Sequence, residues 1–449
     1  MTVLPSPAVR SGFASLLVVL GLMALPAVAL AQDDGAPPPV EDSTAVATTT
    51  ADKYANSIAG EFTPAKGYDI IKTSRGSLNI SVYGLFRYLN QLPGEQNYTD
   101  HLGRVRAVRA RNDLNWHRSM VWFSGFFYNP RFRYTMTVWA LGSTQQTLVF
   151  GQLYYTASKA LTFGAGMAPN LTNRSMQGSW PFWAATDRQM SEEFMRGGFS
   201  SGFFALGEPI SRLKYVVSLN TNLSQLGVTA SNDSRDLAYS GSLSWMPTTG
   251  EFGPRGGLAD FEEHKTVATR FGGSVSHARE DRAAPLGSPP NETQLRISDG
   301  LYLFEDGALA NGVTVQKADY DEFAFDAALK YKGFGLQSEF YNRRLSNFLA
   351  TGPLPDAAIT DRGYMLELSH MIVPKKLNLY VAGGKVFDQF DRNPSELAGG
   401  LSYFPFGTRS WRLNLHVITI DKSPTASNFG YYTAGQSGTT VSLATDILL

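Results

Sequence analysis

The chain has 449 residues, 39 of them basic and 39 acidic, and no cysteine. This balance argues against a nucleic-acid partner, and the missing cysteines exclude disulfides, thiolate metal sites and a cysteine nucleophile. Charged residues make up 17% of the chain, below the roughly 25% of soluble domains, while Gly (43), Phe (28) and Tyr (20) are plentiful. The mean hydropathy of −0.16 excludes a helical membrane bundle but suits alternating strands.

Residues 1–31 read as a cleaved secretory signal. Arg10 supplies the positive start, Phe13 to Leu25 the apolar stretch, and Ala29-Leu30-Ala31 the small-x-small cleavage pattern. The apolar run is too short for the about 20 residues of a membrane-spanning helix. Residues 32–75 form a Pro-, Thr- and Ala-rich tail and a lead-in, with Pro37-Pro38-Pro39 and Thr48-Thr49-Thr50.

From 76 to 449 the pattern is period-2 alternation broken by turn residues, the mark of strands. Sixteen are expected, near 77–91, 112–126, 131–141, 145–157, 161–167, 198–207, 213–222 and 236–246. The others lie near 267–278, 320–331, 333–345, 363–372, 376–388, 396–404, 410–420 and 438–449. The final strand alternates to its end, with Val441, Leu443, Ile447 and Leu449 on one face and Ser442, Ala444, Asp446 and Leu448 on the other. Short turns such as Asn129-Pro130, Tyr331-Lys332-Gly333 and Pro374-Lys375 alternate with long segments at 92–111, 168–197, 223–235, 279–319, 346–362 and 421–437. The expected fold is therefore all-β, a transmembrane antiparallel up-and-down barrel of the outer membrane, with short periplasmic turns and long external loops. The 247–266 connection breaks the rule, because it falls on the periplasmic side yet is long. Aromatics beside the short turns read as a headgroup girdle: Phe126, Phe127, Tyr128, Tyr154, Tyr155, Tyr331, Tyr403, Phe404 and Phe406.

Strand phase sorts the charges. Leu78, Ile80 and Val82 face lipid, which turns Arg87 inward. Phe132, Tyr134, Met136 and Val138 do the same for Arg133, and Leu213, Tyr215, Val217 and Leu219 for Lys214. Outward Phe323, Phe325, Ala327 and Leu329 place Asp326 and Lys330 inside, and outward Trp411, Leu413, Leu415 and Val417 place Arg412 and His416 there. Weaker phases add Arg270, Glu339, Arg343 and Glu367. Inward bases outnumber inward acids on this reading, and a basic lumen raises the local concentration of anions. The 168–197 segment is the third external loop. It carries Arg174, Trp180-Pro181-Phe182-Trp183, Asp187, Arg188, Glu192, Glu193 and Arg196, and this mixture suits a loop folded inward as a constriction. Arg104, Arg106, Arg109 and Arg111 crowd the first loop, as an anion vestibule, a site for lipopolysaccharide phosphate, or a solvated surface.

The run Gly67-Tyr68-Asp69-Ile70-Ile71-Lys72-Thr73 through Leu78-Asn79-Ile80-Ser81-Val82-Tyr83-Gly84-Leu85-Phe86-Arg87-Tyr88 resembles the start of the barrel in the phosphate-selective porin O and P family. Asp187 to Phe199 resembles that family's third-loop region. The resemblance implies a sixteen-stranded homotrimeric porin passing small solutes by diffusion. It departs at the family's arginine ladder, which has no residue-by-residue match here, and at Leu449, where an aromatic is usual.

Chemistry is sparse. Glu262-Glu263-His264 and His277 have no partner at metal-ligand spacing, and no Gly-x-Ser-x-Gly elbow is present. Gly250 to Gly257 precedes no helix or Gly-Lys-Ser/Thr, so it reads as a turn-rich stretch, not a phosphate loop. The expectation is a non-enzymatic channel without cofactors, for small hydrophilic solutes with mild anion preference. A phosphate- or anion-specific channel is the alternative, and a barrel hydrolase or an adhesin stands behind both.

Overall fold

The computed structural model describes residues 64–449 except 143–145, 179, 224–235, 254–256, 258, 284–285, 287–294 and 428–429. The expected signal, residues 32–63 of the tail and lead-in, and 224–235 of the 223–235 loop lie outside the described residues.

The described residues form nineteen strands, which begin in chain order with β1 (Tyr68–Thr73), β2 (Gly76–Leu92), β3 (Glu95–Thr99), β4 (Val105–Arg109), β5 (Asn112–Phe127), β6 (Asn129–Leu141), β7 (Gln146–Ser158) and β8 (Leu161–Pro169). After a 3-10 turn at Arg174–Gln177 and a one-and-a-half-turn helix, α1 (Met190–Met195), come β9 (Phe199–Ile210), β10 (Leu213–Asn220), β11 (Ala238–Trp245) and β12 (Ala268–Asp281). The remainder are β13 (Val315–Tyr331), β14 (Phe334–Ala350), β15 (Ala358–Val373), β16 (Leu377–Phe387), β17 (Ser395–Tyr403), β18 (Trp411–Asp421) and β19 (Gly438–Leu448).

β2 and β5 to β19 make a closed antiparallel ring of sixteen, each paired with its chain neighbours and β19 with β2. The seam is completed by paired bonds in which Leu449 N donates to Val82 O (2.9 Å) and Val82 N to Leu449 O (3.1 Å). Closure leaves no strand edge, which a sheet in hydrocarbon requires. Every strand expected from the alternation is present. Three short strands were not expected: β1, which doubles back on the start of β2, and the β3–β4 hairpin inside the first loop. Strands β13, β14 and β15 also run further at the long-loop end than their apolar alternation.

Short turns join the strands at one end. At Lys332-Gly333 both residues have positive φ (48° and 85°), the geometry that matches a two-residue hairpin to strand twist. Outward positions are apolar and exposed, as at Phe203, Phe325, Val381, Leu397 and Leu443, while inward ones mix polar and charged side chains with buried apolar ones such as Leu85, Trp122 and Trp139. The outer face is a lipid-facing belt. The girdle needs correction at two positions. Tyr154 and Phe404 are buried inside the wall, Tyr154 against Phe204 and Phe404 against Phe261. Adjacent strand residues point to opposite faces, so only one of Tyr154 and Tyr155 can reach lipid.

Candidate pore constriction

The third long loop turns into the barrel, and its side chains from Asn170 to Phe199 are nearly all buried. It crosses from wall to wall. At one side Leu171 N donates to Ser240 on β11, Ser274 on β12 donates to Thr172 O, and Arg270 on β12 donates to Gln177 (2.9 Å). Its 3-10 turn, capped by Asn173, places Arg174 against β14, where its amide donates to Glu339 and its guanidinium to Gln337, both 2.8 Å. At the other side Trp180 packs edge-on to Tyr83 (4.5 Å) and beside Trp122. Arg412 on β18 donates to Trp183 O and Ala185 O, and Met190 N donates to Glu396 on β17 (2.6 Å).

The wall is recessed for the loop. A Cβ on Gly384 of β16 would sit 2.7 Å from Ser191 Oγ, and one on Gly363 of β15 would sit 3.4 Å from Met195 Cε. These glycines let α1 lie flat on β15 and β16.

The loop's charges find opposite partners. Asp187 meets two arginines of the β2–β5 wall, Arg118 at 3.2 Å and Arg87 at 3.7 Å. Arg87 also contacts His117 and donates to Gly430 O of the last long loop. Arg188 donates to Ser175 and stacks on Trp183 (4.9 Å). Glu193 accepts both guanidinium arms of Arg196, at 2.7 and 2.9 Å. Burial raises the Asp187 and Glu192 carboxyls from their usual range. At Glu193 burial acts the same way, but Arg196 outweighs it and the carboxyl is lowered.

Arg87, Arg174, Asp187, Arg188, Glu192, Glu193, Arg196, Arg270, Lys330 and Arg412 are thus buried in or around the inward loop. Arg270 pairs with Asp326, and Lys330 donates to Phe252 O (2.7 Å). Arg133 and Lys214 point inward near the short-turn ends of their strands, outside this cluster, and Arg133 lies over the Tyr154 ring.

Sequence phase missed several inward charges. Arg118 is the clearest. Leu114 and Trp116 face out, which should turn Arg118 out as well, but Leu85 and Phe86 pair with Arg118 and Trp116, leaving His117 as an extra residue. This bulge flips the phase and brings Arg118 inside. The wall also holds Glu280, Glu322, Asp361, Glu396 and Asp446, so the inward surplus of bases expected from the sequence is largely matched by acids. Acids and bases are interleaved around the wall: Arg343 on β14 pairs with Asp361 on β15, and Arg412 on β18 with Asp446 on β19.

The first-loop arginines are partly neutralised. Buried Asp100 accepts from Arg104 (2.7 Å) and Arg106 (2.8 Å), and Arg111 pairs with Asp113. Burial opposes ionisation of Asp100, but the arginine bonds prevail and hold it down at about 2. No cluster of metal-ligating side chains occurs among the described residues.

No protein-family model matches the sequence, and no curated protein does. Solved structures match in shape. The outer-membrane expressed OmpT of Vibrio cholerae superposes with a TM-score of 0.53 at 10% identity, over 85% of this chain and 100% of that one. A trimer form of the same protein gives 0.50 at 10% identity, over 84% and 100%. An anion-selective porin from Comamonas acidovorans gives 0.48 at 12%, over 83% and 100%. At such identities the likeness is one of fold: the chain is built as a closed, sixteen-stranded antiparallel β-barrel.

Proposed function

We propose that the protein is an outer-membrane porin, a water-filled passive channel for small hydrophilic solutes, exported through a cleaved signal and assembled as a homotrimer. The observation that carries this reading is the third loop crossing a charged lumen, with Asp187 against Arg87 and Arg118. Loop and walls set acids and bases on facing sides of the path, and such a field sorts solutes by charge without energy input. Two wall arginines share one loop carboxylate, which favours a mild preference for anions. The trimer is carried over from the resemblance to the porin O and P family and accords with the trimer form of the Vibrio protein.

A second reading, a channel selective for phosphate or another anion, is favoured by the adjoining Arg412, Arg87 and Arg118, since guanidinium forks bind phosphate in pairs. Against it, Arg412 is already clamped to Asp446. Single-channel conductance of the refolded chain in planar bilayers, with the zero-current potential under a KCl gradient, separates the readings. A porin gives linear, unsaturating current with anion preference. A selective channel saturates and is blocked by phosphate. Absence of current would sink both and bring the hydrolase and adhesin readings forward.

A further inference from the structure

Resting on the porin reading, we propose that the described residues of the long connection between β11 and β12 (247–253, 257 and 259–266) fold into the periplasmic mouth and form a second constriction in series with the third loop. Phe252, Phe261 and the clasp around His264 are its determinants. The other connections at this end need only a few residues, so joining two neighbouring strands does not account for twenty.

The described residues of this connection reach far around the ring. Near their start, Phe252 lies under the Lys330 ammonium of β13 (4.5 Å), which also donates to its carbonyl. Asp260 accepts from the amide of Gly333, in the β13–β14 turn (2.8 Å), and Lys332 N donates to His264 O. Phe261 stacks edge-on against Phe404, just past β17 (5.0 Å), and Arg409 before β18 donates to Ala259 O. From β11 and β12 the connection reaches β17 and β18, eight consecutive strands of the sixteen, with Phe261 packed on Met371 and Phe404 inside the wall. Met246, Phe252, Ala259, Asp260, Phe261 and His264 are buried by it.

It also meets the third loop from below. Arg409 lies between Phe261 (4.8 Å) and Phe182 of that loop (5.1 Å), and Arg174 of the loop lies over Phe252 (5.5 Å). Cation–aromatic stacks of this kind gain strength once desolvated. Within the connection, His264 bridges Asp260 through Nδ1 and Glu251 through Nε2 (2.7 Å), which fixes its shape. A solute leaving the third loop therefore passes the segment that Phe252 and Phe261 pack into the mouth, with Arg409 and Glu262 at its surface, before the periplasm. Glu262 is exposed and stands beside Gly253 and Lys330.

The test uses the refolded full chain in planar bilayers, with barrel formation checked by circular dichroism. Two comparable resistances in series predict that Phe252→Ala with Phe261→Ala raises single-channel conductance by about twofold while the zero-current potential keeps its sign. The chain has no cysteine of its own, so Glu262→Cys gives one reactive site. A bulky cationic thiol reagent from the periplasmic side should then lower the current of the same open channel, a reading independent of how the phenylalanine variants fold. If wild type conducts and neither manipulation changes the current, the inference is overturned and the porin reading stands. If wild type is silent but the phenylalanine variant conducts, the connection is a plug and not a constriction in series, and the inference and the open-channel reading are both overturned. If neither conducts, both readings fail.

Discussion

Asp187 concentrates the electrostatics of the site in one carboxylate, since it faces both Arg87 and Arg118. Asp187→Asn should move the zero-current potential toward stronger anion preference. It should also destabilise the barrel by about 3 kcal/mol, because losing one partner of a buried pair strands the other. Urea titration in detergent measures the second effect; unchanged selectivity would mean that Asp187 is off the conducting path. His264 makes a pH prediction. Hydrogen bonds to Asp260 first, then Glu251, raise its pKa from 6.5 to about 9 against the opposing effect of burial. A raised value means that the proton-dependent stabilisation is complete below about pH 6.5 and disappears as pH rises through about 9. An NMR titration of the His264 ring should have its midpoint near 9; a midpoint near 6.5 would show that the clasp does not form. Arg87, Lys330 and Arg412 were readable from the sequence because each lies on a strand with one unbroken apolar face. Arg118 was not, because one bulge residue reverses the phase without altering composition. The His264 clasp was unreadable for another reason: Glu251 and Asp260 come together only through the path of an irregular segment.

At the scale of elements, the inward loop is held by carbonyls and by the absence of side chains. Gly384→Leu should push α1 off the wall, since even a Cβ there meets Ser191 Oγ at 2.7 Å. The expected result is noisier, larger conductance with the barrel intact by circular dichroism; quiet wild-type current would mean that α1 does not seat on β16. Mixed charges beside Trp180 and Trp183 were enough to expect a loop folded inward. Its seat on Gly363 and Gly384 was not legible, because a glycine in a strand reads only as weak strand character. The β3–β4 hairpin escaped for a related reason: it lies outside the apolar belt, where alternation carries no burial signal. The same holds for the outer ends of β13, β14 and β15.

For the whole molecule, lipid is the solvent of the outer face, and the barrel's stability depends on keeping charge off it. Val381→Arg, at an exposed outward position midway along β16, should cost about 2–4 kcal/mol of unfolding free energy in liposomes. An inward exchange such as Ser442→Arg should alter selectivity more than the lipid-facing balance. Equal costs for the two would mean that the assigned faces are wrong. Sixteen strands were countable because short turns punctuate the sequence between regular alternations.

The seam between β19 and β2 carries one more consequence. Tyr83 bonds to Asp446 across 363 positions of sequence, and the backbone pairs of Leu449 with Val82 reach just as far. Such contacts can form only after everything between them has been synthesised, so ring closure is the slowest and latest event of folding, as expected where long-range pairing dominates. Until then both terminal strands offer open edges to any other strand nearby. Shortening β19 should therefore show first as aggregation of chains whose ring has not closed, before any change in the finished barrel.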